Sequence, residues 1–127
     1  MGDFFTDLTT AVIAKSLDVA GLRHRVIADN IANAETPGFT RSEVSFCDQL
    51  KRALTAADAD TAIRRVEDVQ PEVQADLSSP VRPDGNNVSI DKEMAELTKN
   101  SLEYETLVQL FNLKSGMVKA AITEGKR

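Results

Sequence analysis

In the last third of the chain, Met94, Leu97, Ser101, Tyr104, Val108, Phe111, Ser115, Val118 and Ile122 recur in alternating steps of three and four. That spacing is the a/d seam of a heptad helix. A second row, Leu107, Leu110 and Met117, with Leu102 and Leu113 beside it, widens the apolar surface beyond what one partner helix covers. Ser89 or Asp91 can accept the orphan N–H bonds at the start of this helix, and Gly125 marks its end. Roughly 30 helical residues would span about 45 Å, which is long for a compact domain of 127 residues. The first part of the chain behaves similarly. Phe5, Leu8, Val12, Val19, Leu22 and Val26 form one seam, and Ile13, Leu17, Ala20, Ile27 and Ile31 form another. Gly21 weakens this helix by about 1 kcal/mol relative to Ala, a cost that packing or a close backbone approach offsets. A shorter helix is predicted over Ser45–Ala57, with Phe46, Leu50 and Leu54 on one face.

All four prolines, Pro37, Pro71, Pro80 and Pro83, fall in the middle, so both ends are free to form long helices. From Ala56 to Pro83 the chain is rich in Ala, Asp, Ser and Pro and poor in large apolar groups, as expected of an extended connector. Three units follow: an N-terminal helix within 1–36, a turn, short helix and connector over 37–87, and a C-terminal helix within 88–127. The predicted class is all-α.

Composition narrows the function. Lys and Arg number 15 against 20 Asp and Glu, a net charge of −5, and no basic stripe appears, which argues against nucleic-acid binding. Aromatics at 5% argue against the dense core that shapes a deep catalytic pocket. The longest uncharged apolar-leaning stretch, Thr106–Leu113, is far short of the ~20 residues that cross a bilayer. Asp3 and Asp7 stand where a secretory signal carries positive charge, so no cleavable export signal is expected. Candidate chemistry is sparse. His24 has no second His or Cys at ligand spacing, and the single Cys47 reads as a buried or semi-exposed small residue. Glu103 and Glu105 point to different faces of a helix, and Ser101 and Ser115 have nothing nearby to activate them. No catalytic, cofactor-binding or metal-binding residue is expected.

The most distinctive stretch is Asn30-Ile31-Ala32-Asn33-Ala34-Glu35-Thr36-Pro37-Gly38-Phe39. Asn30 and Asn33 share a helical face, with amides able to satisfy neighbouring backbone. Thr36 precedes proline and leaves the α region, and Pro37-Gly38 suits the centre of a type II turn that places Phe39 as an anchor. An ordinary helix terminator would account for this much. Later, Asp84-Gly85-Asn86-Asn87 favours positive φ and a tight reversal before the last helix, and a generic loop would account for that.

Together these residues resemble the bacterial flagellar rod and hook protein family. The signature is Asn30, Ile31, Ala32, Asn33, Thr36, Pro37, Gly38 and Phe39. Phe46, Leu50, Lys51 and Ala53 resemble the segment that follows it in the proximal rod protein. Asp84-Gly85-Asn86-Asn87-Val88 with Asp91, Glu93, Met94, Asn100 and Tyr104 resembles that protein's C-terminal block. The resemblance covers roughly residues 15–54 and 82–122 and leaves the connector unmatched. Gly21, His24 and Cys47 depart from the pattern without touching the motif. The sister rod protein FlgC has a similar size, and the Asp84–Val88 block and the Phe46–Leu50 spacing favour the proximal rod protein over it.

The resemblance implies a structural role in self-assembly rather than an enzyme. The terminal helices would pair as a coiled-coil hairpin, joined by a short helix and an extended, largely irregular connector, and would pack beside those of neighbouring subunits as the rod's inner tube. The N-terminal seam would be Leu8, Val12, Leu17, Leu22, Ile27 and Ile31, and the C-terminal seam Met94, Leu97, Tyr104, Val108, Phe111, Val118 and Ile122. One stripe would serve the intramolecular partner and the other the next subunit. The implied partners are further copies of the chain, the rod proteins FlgC, FlgF and FlgG, the adaptor FliE, the membrane-anchored base and the flagellar type III export apparatus. No nucleic acid, cofactor or small-molecule substrate is implied. The implied location is the basal-body rod in the periplasmic space. A soluble helical export chaperone or cytoplasmic adaptor fits the composition equally well, but it has no reason to carry the Asn30–Phe39 run.

Overall fold

The computed structural model describes residues 7–56 and 58–125; Phe5, assigned above to the first seam, lies outside them. Helix α1 covers Leu8–Ala32. Asp7 caps it by accepting the Thr10 N–H at 2.8 Å, and Asn33 closes it with its N–H turned back to the Asp29 and Asn30 carbonyls. The long C-terminal helix begins beside Ser89, one of the two caps expected. The Ser89 carbonyl accepts from the Glu93 N–H at 2.9 Å and its Oγ from the Lys92 N–H at 3.4 Å. The helix runs over Ile90–Gly125, 36 residues, or about 54 Å.

The middle of the chain corrects the all-α, largely irregular expectation. Strands β1 (Ser42–Ser45) and β2 (Glu72–Ala75) pair antiparallel, with Val44 opposite Val73. Helix α2 covers Cys47–Leu54 and helix α3 covers Ala59–Asp68; the C-terminal helix is α4. The short helix is trimmed from the predicted Ser45–Ala57 because Ser45 belongs to β1 and Phe46 leaves the strand as the helix cap; Ala57 lies outside the described residues. The composition of 56–83 masked a helix because its buried face is small. Ala62 and Val66, four apart, are buried, and Asp58 caps the segment by accepting from the Thr61 N–H at 2.8 Å and the Thr61 hydroxyl at 2.9 Å.

These elements pack on α1. Ala11, Val19, Phe46, Ala53, Val66 and Val69 form the buried cluster, with Leu8, Val12, Val44, Leu50 and Ile63 against it. Lys15 Nζ reaches across to the C-terminal carbonyls of α3, Glu67 at 2.8 Å and Val69 at 3.1 Å, where the helix dipole favours a cation. α4 lies antiparallel along α1: Glu93 meets Asn30, Asn100 meets Ala20 and Lys114 meets Asp7. Within the chain α1 thus carries α4 on one side and β1 and α3 on another.

Candidate functional site

The signature at the end of α1 and the Asp84–Asn87 block before α4 form one structure. The Phe39 N–H donates to the Thr36 carbonyl at 3.2 Å, and Gly38 has φ +74°, as the type II turn requires. In the second turn the Gly85 N–H donates to the Arg82 carbonyl at 2.9 Å, and Gly85 has φ +85°. The turns meet glycine to glycine: the Gly38 N–H donates to the Asp84 carbonyl at 2.8 Å, and a Cβ on Gly85 would stand 3.2 Å from the Gly38 Cα. Asn86 secures the pair. Its Nδ2 donates to the Asn33 carbonyl at 2.8 Å and the Thr36 carbonyl at 2.9 Å, while its Oδ1 accepts from the Val88 N–H at 2.7 Å. The Arg82 guanidinium donates to the carbonyls of Ala34 and Val88.

Behind the turns lies a buried polar node. Asn30 grips the backbone of Ser42 with both ends of its amide, donating from Nδ2 to the carbonyl at 2.8 Å and accepting the N–H at Oδ1 at 2.9 Å. The same Nδ2 lies 3.2 Å from Glu93 Oε2. Arg41 donates from Nε to Glu93 Oε1 at 2.6 Å and from Nη1 to Asp76 Oδ2 at 2.7 Å. The Arg41 N–H donates to Asn87 Oδ1 at 2.6 Å, and Asn87 Nδ2 to the Asp76 carbonyl at 2.7 Å. Glu93 is 0% exposed, Asp76 4% and Arg41 5%. Such burial is tolerable only where charges are paired and remaining lone pairs satisfied. The Ser79 and Ser78 hydroxyls, the Ser78 N–H and Arg41 hold the Asp76 carboxyl far below the usual carboxylate range. Burial pulls the Arg41 pKa down, and the hydrogen bonds to Glu93 and Asp76 outweigh it, so the guanidinium stays charged. The node joins the end of α1, both strands and the start of α4.

Of the signature residues, Asn30 is buried in the node, Asn33 and Thr36 hold the helix end through a 3.2 Å Thr36 Oγ1 to Asn33 Oδ1 bond, and Pro37 and Gly38 form the exposed turn. Ile31 and Phe39 are half-buried and Ala32 is exposed. Arg41 and Asp76 were not singled out from sequence. Each is an isolated charge at no diagnostic spacing, 35 residues apart.

On α1, Ile27 is buried, and Leu8, Val12, Leu17, Leu22 and Ile31 are half-buried. On α4, Leu97, Val108 and Val118 are half-buried, but Met94, Tyr104, Phe111 and Ile122 are exposed. The face α4 turns to α1 keeps Leu97, Val108 and Val118 of the expected seam and adds Glu93, Asn100 and Leu107. Glu93 in the node and Asn100, whose Nδ2 donates to the Ala20 carbonyl at 2.9 Å, set that rotation, and a count of apolar spacing cannot register them. Leu102, Leu110, Leu113 and Met117 remain exposed. Between α1, α2 and α4 runs an apolar groove of about 850 Å³ lined by Ser16, Ala20, Phe46, Cys47, Leu50, Leu102 and Leu107, with Arg23, Lys99 and Glu103 at its rim. A second apolar groove is lined by Leu8, Val12, Leu54, Leu110, Leu113 and Met117. Among the described residues, no group of three or more His, Cys, Asp or Glu is placed to hold a metal ion. No described helix is long and apolar enough to cross a membrane.

Residues 23–40, the end of α1 and the first turn, match the family model for flagella basal body rod proteins. Along most of its length the chain is similar to curated relatives. It is 38% identical to the flagellar basal body rod protein FlgB of Borrelia hermsii over 86% of this chain and 93% of that one. It is 34% identical to FlgB of Bacillus subtilis (strain 168) over 90% and 92%, and 37% identical to FlgB of Borreliella burgdorferi over 78% and 85%. The chain belongs to the flagellar basal body rod protein family, as a structural component of that rod. Within the family, each of these relatives is a FlgB protein.

Proposed function

We propose that this chain is a subunit of the proximal rod, polymerising through α1 and α4 into part of the drive shaft and export channel of a motile flagellum. The observation that carries the reading is the alignment with FlgB proteins over most of the chain. It is supported by α4 itself, which keeps Leu102, Leu110, Leu113 and Met117 exposed beyond what α1 covers; apolar rows of this kind mark interaction surfaces. In this reading the α1–α4 hairpin packs with coiled-coil geometry against its neighbours, Met94, Tyr104, Phe111 and Ile122 facing the next subunit. Asn30, Ile31, Ala32, Asn33, Thr36, Pro37, Gly38 and Phe39 set the turn and the contact it presents. FlgC, FlgF, FlgG, the adaptor FliE and the membrane-anchored base are the partners, reached in the periplasm through the flagellar type III apparatus. The aligned relatives favour this reading over the sister protein FlgC or a soluble export adaptor.

The test is an in-frame deletion, scored for swimming and for rods in detergent-extracted basal bodies by electron microscopy. Loss of the rod, restoration by the plasmid-borne gene and recovery of the protein in purified basal bodies are expected. Normal rods and swimming in the deletion strain would overturn the reading.

A further inference from the structure

The loop that returns the chain from β2 to α4 carries apolar side chains in an unusual state. Leu77 is 88% exposed and Val81 64% exposed. A single exposed Leu in a mobile loop carries no information, but this loop is held. The Asp76 carboxylate accepts from the Ser78 N–H at 2.9 Å, the Ser78 hydroxyl at 2.7 Å, and the Ser79 N–H and hydroxyl. At the other end the Arg82 N–H donates to the Asn86 carbonyl at 2.9 Å, and its guanidinium reaches the Ala34 and Val88 carbonyls. The ordering cost of presenting Leu77 and Val81 to solvent is met within the fold itself, which is what a preorganised binding element requires.

A receptor of matching character lies elsewhere on the chain. The groove between α1, α2 and α4 is apolar, has about 850 Å³, and draws none of its lining from residues 72–91; that is space for several side chains at once. Charge matches too. Over 72–89 Arg82 lies 3.8 Å from Asp84, which leaves exposed Glu72 uncompensated, whereas in the groove Arg23 lies 3.9 Å from Glu103, which leaves Lys99.

We propose that the Leu77–Val81 loop of one subunit seats in the α1–α2–α4 groove of a second copy of this chain. A knob on one patch and a socket on another make a heterologous contact, which propagates instead of closing into a dimer. The inference rests on the rod-subunit reading and names a contact within it. Loss of the Leu77 side chain to Ala weakens subunit association about tenfold to a hundredfold, the worth of burying one Leu.

The chain supplies its own probe, because Cys47 is its one cysteine, is exposed, and lines the groove. Basal bodies purified from a Leu77→Cys strain are treated with a thiol oxidant and resolved without reductant. The expected result is a ladder of this chain as dimers and higher multiples, abolished in Leu77→Cys/Cys47→Ser. Rods that contain the variant but yield no ladder overturn the proposal. So does linkage that survives Cys47→Ser, or that stops at dimers, since either describes a symmetric contact or a different partner. Absence of the wild-type chain from basal bodies would instead overturn the rod reading beneath it. Helical circular dichroism of purified Leu77→Cys, expected to match wild type at so exposed a position, separates lost contact from lost fold.

Discussion

Replacing Arg41 with Met is the sharpest test of the polar node. The substitution keeps an unbranched stem but removes the guanidinium that lies 2.6 Å from Glu93 and 2.7 Å from Asp76. Glu93 is 0% and Asp76 4% exposed, so water cannot replace the lost partner without opening the junction of α1, the strands and α4. Breaking a buried pair from one side costs about 3–5 kcal/mol, a large share of the roughly 5–15 kcal/mol that holds a domain folded. With a urea slope near 2 kcal/mol per molar, the midpoint should fall by about 2 M with the slope unchanged. The assay is urea unfolding of the purified chain followed by far-ultraviolet circular dichroism. A second leg isolates the pair: Glu93→Gln alone, then Arg41→Met with Glu93→Gln, should show a coupling of about 1–3 kcal/mol, because the double variant no longer buries an unpaired Glu93 charge. A loss below about 1 kcal/mol for Arg41→Met, or strictly additive effects, would refute the reasoning; the node would then be wet or dispensable.

Other consequences follow from the turns and caps. Gly85→Ala should cost clearly more than Gly38→Ala in thermal stability, since both have positive φ but only Gly85 would drive a Cβ to 3.2 Å from opposing backbone; the positive φ alone costs about 1 kcal/mol, and equal losses would remove the close approach from the account. Asp76 has a depressed folded pKa whose first causes are the Ser79 and Ser78 hydrogen bonds, so its contribution is present above the ordinary carboxylate range and is lost as pH falls through the lower folded value. Ser79→Ala should therefore reduce stability at neutral pH and flatten its decline into acid, read by urea midpoints across pH. Asp7 is lowered to about 2, first by the hydrogen bond from Lys114 and then by the Thr10 N–H. Its cap should hold above pH ~4 and fray toward about 2, followed by the Thr10 amide in nuclear magnetic resonance, with Lys114→Ala moving the midpoint upward. In swimming assays Phe39→Ala should be more damaging than Pro37→Ala, because Phe39 is half-buried and Pro37 exposed; equal defects would make the bend, not the anchor, decisive.

The sequence by itself determined the long helices, Ser89 or Asp91 as the start of the last one, the stop of the first before Pro37, the type II turn at Pro37-Gly38 and the tight reversal at Asp84-Gly85. These are local matters, governed by backbone dihedrals, capping and the spacing of apolar residues over a few turns. It also carried the family signature, because that too is a contiguous run. Tertiary structure decided the rest. Helix α3 and strand β2 were hidden in a segment whose composition suits a linker, since α3 buries little more than Ala62 and Val66 and β2, exposed along its length, is held by its pairing with β1 and not by a strong apolar pattern. The rotation of α4 was decided by Glu93 and Asn100, polar residues that a hydrophobic count scores as solvent-facing but that bind Asn30, Arg41 and the Ala20 carbonyl. The node itself unites Asn30, Arg41, Asp76, Asn87 and Glu93 from five separate stretches. A buried charge is stable only beside its partner, and which partner stands beside it is a property of the folded chain.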